Sequence, residues 1–267
     1  MVSSPDDVAA HLAELVPTLP GSVAVAVRTS DGFAWHWHGD RVVPSASTVK
    51  LPIMIAALRS GMPLGRLLAL PAPADRAGGA GAIALLSSVG ELTVHELVRL
   101  MIAQSDNDAT NVLIDQLDLL DAGATRLREV LDEAGARHTR LSRRMMDFAA
   151  AQEGRDNRTC ADDLVAILVA LRQGRLLDPA STGVALDALA EQQDRAGLPA
   201  WVPEDVRVGN KTGELPGLRH DVALLERDER WAAVAMLATD LQVDGIDCGT
   251  RILPGMAEVG ASVARLL

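Results

Sequence analysis

Strand-forming patterns occur only near the two ends of this 267-residue chain, while its long middle part has the pattern of helices. Ser22–Thr29 and Phe33–His38 are separated by a short turn, and Asp221–Glu226 and Trp231–Thr239 enclose a charged turn, so each pair predicts a β-hairpin. A sheet built from both ends leaves the middle of the chain as an insertion between its halves. We therefore predict an α+β fold in which an antiparallel sheet carries an inserted helical lobe.

The middle of the chain repeatedly places apolar residues at the spacing of one helix face. Thr93-Val94-His95-Glu96 is a capping box, which predicts a helix that starts there and ends near Gln104. The same reasoning predicts helices at 108–117, 123–134, 161–173 and 182–192, and a last one at about 254–267.

These patterns predict a single domain over residues 1–267 with two lobes. The α/β lobe takes about 1–45 and 202–267, where terminal helices flank the sheet, and the helical lobe takes about 46–201. Ligand sites tend to lie in clefts, because side chains can then converge on the ligand from both walls. We expect the functional site between the lobes.

The charge of the chain argues against several classes of partner. Its formal net charge is −11, whereas phosphate binding needs clustered cations, so we predict no nucleic acid and no anionic membrane as partner. No apolar run reaches the roughly 18 residues that a membrane span needs. The acidic N-terminus lacks the features of a secretory signal, so we expect a cytoplasmic protein unless a leader was removed.

The sequence predicts neither a metal nor an organic cofactor. Cys160 and Cys248 are too few for a disulfide framework or a zinc site, and we predict that both are free thiols. The six histidines lack the spacing of metal ligands. We expect a monomer whose partner is a small molecule.

Only two lysines occur beside 23 arginines, and each lies in a short polar motif. Lys50 ends the motif Ser47-Thr48-Val49-Lys50, directly before an apolar helix predicted at Leu51–Leu58. A spacing of three places Ser47 and Lys50 on one face of a helix. A lysine can lose its proton and activate a hydroxyl, which arginine cannot do, so the pair suits covalent catalysis. The alternative is a helix cap followed by a solvated lysine.

Two further motifs carry polar groups suited to a cleft. Ser105-Asp106-Asn107 follows the capped helix, where a short connection can project a hydroxyl and an amide, although these residues are also common in ordinary turns. Lys211-Thr212-Gly213 precedes the C-terminal hairpin and is predicted to lie on an edge strand. Because glycine has no side chain, a substrate could lie against this strand and pair with its backbone.

Together, Ser-x-x-Lys, Ser-Asp-Asn and Lys-Thr-Gly in this order resemble the signature of class A β-lactamases and penicillin-binding proteins. Ser105 follows Ser47 by 58 residues and Lys211 follows Ser105 by 106, close to the class A intervals. The resemblance runs nearly end to end and includes the hairpin before the serine, the helical insert and the C-terminal helix. It implies the serine β-lactamase or DD-peptidase fold.

The resemblance implies a role for each motif residue in an acyl-transfer reaction. Ser47 is the acylated nucleophile, and Lys50 accepts or relays its proton. Ser105 passes the proton to the leaving group, while Lys211 supplies positive potential beside it. Substrate contacts are implied for Asn107, which holds an amide, and Thr212, which contacts a carboxylate; the oxyanion hole would be the backbone N–H groups of Ser47 and Glu214.

The segment that in class A enzymes carries the deacylating glutamate on an omega loop departs from the family pattern. Met145 stands where the glutamate is expected, and methionine is no base. Asp147 is the nearest carboxylate, and either a catalytic role or a role as helix cap or loop ion pair fits it. Arg143 and Asp156 match the pair that closes the neck of the loop, so a loop of altered content is predicted.

The residues after the Lys-Thr-Gly motif also differ from the family pattern. Glu214 brings a carboxylate next to the implied oxyanion hole, where its charge would discourage an anionic substrate group. Arg219 and His220 follow shortly after and could offset that charge by binding such a group. Both Glu214 and Arg219 are therefore predicted to influence substrate binding.

Three functions follow from these residues. The first is a serine hydrolase that forms an acyl-enzyme on Ser47 and acts on β-lactams or related amides and esters, inefficiently on β-lactams because of Met145. The second is a cytoplasmic acyl-transfer enzyme, peptidase or esterase of the same superfamily. The third is a β-lactam-binding or sensing protein that is acylated without turnover.

Overall fold

A computed structural model describes residues 4–120, 124–243 and 245–267. Its main sheet has five antiparallel strands in the order β2-β1-β9-β8-β7. These strands are β1 (Ser22–Thr29), β2 (Ala34–Trp37), β7 (Arg207–Leu215), β8 (Leu218–Arg227) and β9 (Arg230–Thr239). The α+β fold class, with a sheet made from both ends of the chain, is confirmed.

Shorter strands pair outside the main sheet, in three two-stranded pairs among the described residues. They join β3 (Val43–Pro44) to β6 (Arg158–Thr159), β4 (Leu67–Ala69) to β5 (Glu91–Thr93), and β10 (Gln242–Val243) to β11 (Ile246–Asp247).

The described residues contain nine α-helices. In chain order they are α1 (Pro5–Leu15), α2 (Lys50–Arg59), α3 (Val94–Ala103), α4 (Asn107–Gln116), α5 (Ala124–Ala134), α6 (Phe148–Gln152), α7 (Ala161–Arg172), α8 (Pro179–Ala190) and α9 (Leu253–Ala264). The predicted capping box is present, since Thr93 Oγ1 accepts from the N–H of Glu96, whose carboxylate accepts from the N–H of Thr93. Residue 123, the predicted start of one helix, lies outside the described residues. None of the described helices is long and apolar enough to cross a membrane.

Both faces of the sheet are covered. One face packs on α1 and α9 through side chains such as Val25, Met236 and Val259. The opposite face packs on α7, which contacts β1 and β9 and belongs to the core of the helical lobe. The side chains of each strand alternate between these two layers, so neighbouring residues on β7 and β8 face different surroundings.

The central helix α2 is buried on all sides, which is the pattern of a helix inside a core and not of a surface helix. Its nine residues from Lys50 to Leu58 are all buried, and it contacts α3, α4, α5 and α8. The start of α2 therefore has a fixed position in the molecule, and Ser47 lies directly before it.

Candidate active site

Ser47 lies in a 3₁₀ turn, Ala46–Val49, which leads directly into α2. Lys50 is the first residue of that helix, and its backbone N–H donates to the carbonyl oxygen of Ser47. Side chains three apart in a 3₁₀ turn are eclipsed, so Ser47 and Lys50 share one side of the turn, as predicted for a helix. Ala46 has a φ of 45°, a conformation that residues with side chains seldom adopt and that often marks functional sites.

Lys50 is completely buried, and its ammonium nitrogen contacts the Ser-Asp-Asn motif. Nζ donates to the carbonyl oxygen of Ser105 at 2.6 Å, to its Oγ at 3.2 Å and to Oδ1 of Asn107 at 2.8 Å. Burial lowers the pKa of Lys50 well below its usual value, and the nearby charge of Lys211 lowers it further. A lysine with a depressed pKa can accept a proton near neutral pH.

Lys211 reaches the same serine from the sheet. Its Nζ donates to Ser105 Oγ at 3.0 Å and to the carbonyl oxygen of Thr212 at 2.8 Å. Burial lowers the pKa of Lys211 to about 7, while the charge of Asp221 opposes the decrease. The hydroxyl of Ser105 thus lies within hydrogen-bond distance of both lysines, and all three motifs meet at one point.

The connection that carries Ser105 is held in an uncommon conformation. Ser105 has a φ of 52°, and the next residue, Asp106, caps α4 by accepting from the N–H of Ala109 at 2.9 Å. The other oxygen of Asp106 accepts from the N–H groups of Ala82 and Ile83, at 2.7 and 2.9 Å. Buried Asp106 therefore anchors this connection, a role that the sequence did not reveal.

Asn107 and Asp108, the two residues after Asp106, hold the neighbouring loop at Ala77 and Gly78. Asn107 Nδ2 donates to the carbonyl oxygen of Gly78 at 2.9 Å, and Asp108 accepts from the N–H of Ala77 at 2.7 Å. The predicted contact of Asn107 with a substrate amide stays a prediction, since both ends of its amide have partners within the protein. These bonds hold the loop at Ala77 and Gly78 close to the site.

Strand β7 packs closely against the turn of the nucleophile. A Cβ placed on Gly213 would lie 3.1 Å from Thr48 Cγ2 and 3.2 Å from both Ala46 Cβ and the carbonyl oxygen of Ser45. The glycine of the Lys-Thr-Gly motif therefore permits the contact between sheet and turn. Glu214 is the next residue along β7, and the oxyanion hole formed by its N–H group and that of Ser47 stays a prediction.

His220 is an internal support of the site and does not face a substrate. It pairs with Gly213 in the β7–β8 register, is fully buried, and its Nε2 is 2.9 Å from the carbonyl oxygen of Pro44. Burial lowers the pKa of His220 to about 4, so the ring is neutral at pH 7. The expectation that His220 could bind a substrate anion was wrong.

The predicted ion pair at the neck of the loop is present. Arg143 Nε lies 2.9 Å from Asp156 Oδ1, and only 8% of the Arg143 side chain is exposed. Asn157 adds to this connection, because its Oδ1 accepts from the N–H of Ser142 at 2.7 Å and from that of Arg143 at 3.0 Å. The two ends of the loop are therefore joined by one buried network.

Asp156→Asn should lower the free energy of unfolding by about 2 kcal/mol, since it leaves the guanidinium of Arg143 buried without its charged partner. Glu133→Gln is the matched control: it breaks the exposed Arg59–Glu133 pair and should cost less than about 1 kcal/mol. Urea unfolding followed by circular dichroism measures both. Equal losses in the two variants would contradict a special role for the loop pair.

Met145 is anchored inside this loop. Its N–H donates to Asn111 Oδ1 at 2.8 Å, and Asn111 Nδ2 donates back to the carbonyl oxygen of Met145 at 3.2 Å. Asn111 lies one helical turn after Asn107 on α4, so the loop backbone is fastened beside the Ser-Asp-Asn motif. The Met145 side chain is buried in the core of the helical lobe. The role of Asn111 was not visible in the sequence.

The neighbours of Met145 have different surroundings. Met146 borders the site, since a Cβ on Gly79 would lie 3.0 Å from both Met146 Sδ and Asn107 Nδ2. Asp147 caps the short helix α6 by accepting from the N–H of Ala150 at 3.0 Å. This is the structural role that the sequence allowed for Asp147, and its proposed part in deacylation stays a prediction.

Arg219 is paired with two carboxylates. Arg219 lies on β8, where its Nη1 donates to Glu214 and its Nη2 donates to Asp194. The sequence suggested that Arg219 would offset the charge of Glu214 by binding a substrate anion, and the ion pair between the two residues themselves was not predicted. Asp194, which lies 25 residues earlier in the chain, was not foreseen, and direct binding of a substrate by Arg219 stays a prediction.

Comparison with known proteins agrees with this arrangement of motifs. The model of the beta-lactamase enzyme family matches residues 7–258. The chain belongs to this family. Beta-lactamase Toho-2 of Escherichia coli is 30% identical over 224 residues, which are 80% of this chain and 74% of that protein. As a family member, the chain is a β-lactamase-like serine hydrolase.

Solved structures of relatives share the fold over nearly the whole chain. A β-lactamase from Sphaerobacter thermophilus is 32% identical, with a TM-score of 0.84 over 99% of both chains. The structure of PBP-A is 25% identical, with a TM-score of 0.82 over 97% of this chain and 94% of that one. The similarity to a serine β-lactamase fold predicted from the motifs is confirmed.

Proposed function

We propose that this β-lactamase-family protein forms an acyl-enzyme on Ser47, with Lys50 as the group that accepts the serine proton. The observation that carries the proposal is the fully buried Lys50, three residues after Ser47 and bonded to Ser105 and Asn107. A desolvated lysine next to a hydroxyl is one of the established ways to activate a nucleophile. The substrate is an amide or ester, including a β-lactam.

The reaction has two halves, acylation of Ser47 and release of the acyl group, and the acylation half includes a proton relay. The Ser47 oxygen attacks the substrate carbonyl carbon while its proton moves to neutral Lys50, and backbone N–H groups of Ser47 and Glu214 stabilise the resulting oxyanion. Lys50 then gives a proton to Ser105, 3.2 Å away, whose own proton passes to the leaving nitrogen or oxygen as the tetrahedral intermediate collapses. The products of this half are the Ser47 ester and the free leaving group.

Release of the acyl group is expected to be the slow half of this reaction. Hydrolysis of the Ser47 ester needs a base to take a proton from water, and such catalysis contributes about 10²–10⁴-fold. Met145 cannot serve as that base, and Asp147 uses a carboxylate oxygen to cap α6. We infer that β-lactams acylate the protein and leave it slowly.

Two alternative functions follow from a slow release of acyl groups. A peptide or ester substrate could leave faster than a β-lactam, which would make the protein a peptidase, esterase or acyl-transfer enzyme. A long-lived acyl-enzyme would instead suit a β-lactam-binding or sensing protein. Acylation by a penicillin, which all these functions share, has support from a relative: a structure of a leucine-to-glutamate variant of PBP-A, 25% identical to this chain, is an acyl-enzyme complex with penicillin G.

Product release and adduct formation, measured together, distinguish these functions. The protein is mixed with a chromogenic cephalosporin and, separately, with a thioester of N-benzoylglycine, beside Ser47→Ala as control. Thiol released over many turnovers, with slow cephalosporin turnover, supports the proposal, whereas a stable adduct with no more than one equivalent of product released from either compound supports sensing. Equal turnover by Ser47→Ala would contradict the assignment of the nucleophile.

The charge of Lys211 gives the reaction a pH dependence. With a pKa of about 7, Lys211 is protonated below that pH and neutral above it, so its positive potential disappears as the pH rises. We expect acylation of Ser47 to decrease above about pH 7. In Lys211→Arg the decrease should vanish, because arginine keeps its charge. The rate of acylation between pH 5 and 9 tests this, and the same alkaline decrease in both proteins would contradict it.

A further inference from the structure

A charged cluster lies just beyond the Lys-Thr-Gly motif and joins β7, β8 and the segment between α8 and β7. It consists of Glu214, Arg219 and Asp194, in which the guanidinium bridges the two carboxylates. The side chain of Arg219 is only 10% exposed, while that of Glu214 is 63% exposed. The part of this cluster that a bound molecule would meet is therefore a carboxylate.

The cluster is close to where the leaving group of a substrate must lie. In the proposed reaction the leaving group takes its proton from Ser105. Ser105 Oγ is 3.0 Å from Lys211 Nζ, so the leaving group lies along the start of the Lys-Thr-Gly motif. Side chains of a strand alternate, so Thr212 and Glu214 share one side of β7, roughly 7 Å apart along the strand. A charged group on the leaving side therefore comes near the carboxylate of Glu214.

Glu214, Arg219 and Asp194 together carry one excess negative charge, and the positive charge of Lys211 lies nearby at the start of the motif. One guanidinium faces two carboxylates, and the buried Asp221 lies close to both Arg219 and Asp194. Asp221 accepts hydrogen bonds from Asn210 Nδ2 and from the N–H of Leu198, and burial raises its pKa to about 7. Each terminal nitrogen of Arg219 already faces a carboxylate, and the side chain is only 10% exposed, so Arg219 offers little positive surface to a substrate carboxylate.

We propose that this end of the cleft selects leaving groups that are neutral or cationic, and that Glu214 is the residue that disfavours a carboxylate there. The inference rests on the proposed acylation of Ser47 and names the substrate class of that site. It assigns the side chain of Glu214 a role in specificity, separate from the backbone N–H that lies at the oxyanion hole. A substrate of this class is an amide or ester whose leaving group ends in a carboxamide or an amine. Penicillins and cephalosporins carry a carboxylate on the leaving side, so they should acylate Ser47 more slowly than such substrates.

Three thioesters with one acyl group test the proposal. N-benzoylglycine is joined to mercaptoacetate, to mercaptoacetamide or to cysteamine, so the acyl-enzyme is identical and kcat/KM for thiol release reports acylation alone. Intrinsic differences among the thiols cancel when wild type is compared with Glu214→Gln, which keeps the size of the side chain and removes its charge. Glu133→Gln, at an exposed surface pair, is the control for a general change in net charge.

We expect the preference for the carboxamide over the carboxylate thioester to fall about fivefold to tenfold in Glu214→Gln. The preference for the cysteamine thioester should fall at least as much, and Glu133→Gln should change neither ratio. Ratios that stay within twofold of wild type in Glu214→Gln would overturn the inference, while thiol release that needs Ser47 would leave the proposed function intact. No release from any thioester and no adduct on Ser47 would overturn both.

Discussion

Lys50→Arg should slow acylation of Ser47 by about 10²–10⁴-fold, the usual contribution of a positioned base. Arginine keeps the positive charge but cannot be deprotonated in a protein, so it has no place for the serine proton. Lys50 is completely buried and its ammonium nitrogen is held by Ser105 and Asn107, so the variant removes a base that the structure holds in one position. Stopped-flow measurement of penicillin acylation gives the rate.

Two controls make this result specific. Lys211→Arg is the same substitution at another buried lysine, and it should be the milder change because Lys211 acts through its charge. Lys50→Met has nearly the shape of lysine, so it separates loss of the base from crowding by the larger guanidinium. If either Lys50 variant, shown to be folded by its melting temperature, acylates within about tenfold of wild type, Lys50 is not the base.

Met145→Glu should accelerate hydrolysis of the penicilloyl-enzyme by about 10²–10⁴-fold. The substitution places a carboxylate at a loop position whose backbone is held by two hydrogen bonds to Asn111, and Asn111 lies one turn after Asn107 on α4. Burial raises the pKa of such a carboxylate toward neutral, the range in which a general base works best. The loss of bound acyl group over time, followed by intact-mass spectrometry, measures the rate.

Met145→Gln is the matched control for this gain. Glutamine has the size and polarity of glutamate but cannot accept a proton from water, so it should leave deacylation close to the wild-type rate. A rate in Met145→Glu no faster than in Met145→Gln would show that position 145 does not face the acyl group. In that case the slow release has a cause other than the missing glutamate.

Features with local signals could be predicted from the sequence. The hairpin strand β1 has the predicted bounds, Ser22–Thr29, because its β-rich run stops at a turn signal. The capping box at Thr93 marks the start of α3, since its two hydrogen bonds join residues only three apart. The three motifs meet at Ser105 Oγ as their resemblance to the family implied.

Features that depend on contacts between distant segments could not be predicted. The sequence predicts an edge strand only at Lys211-Thr212-Gly213, and the structure extends it to Arg207–Leu215. Gly209 and Asn210 have low strand preference, and they lie in the strand because β8 pairs with its whole length. The hydrogen bonds of Asp106 to Ala82 and Ile83 and the ion pair of Arg219 with Asp194 span more than 20 residues, so no local pattern records them.

Locating the covalent bond between penicillin and the protein tests directly whether Ser47 is the nucleophile. Wild-type protein and Ser47→Ala are each incubated with penicillin G, digested and mapped by mass spectrometry. We expect one added penicilloyl group, on the peptide that contains Ser47, and none in Ser47→Ala. An adduct on another residue, or an undiminished adduct in Ser47→Ala, would contradict this role of Ser47.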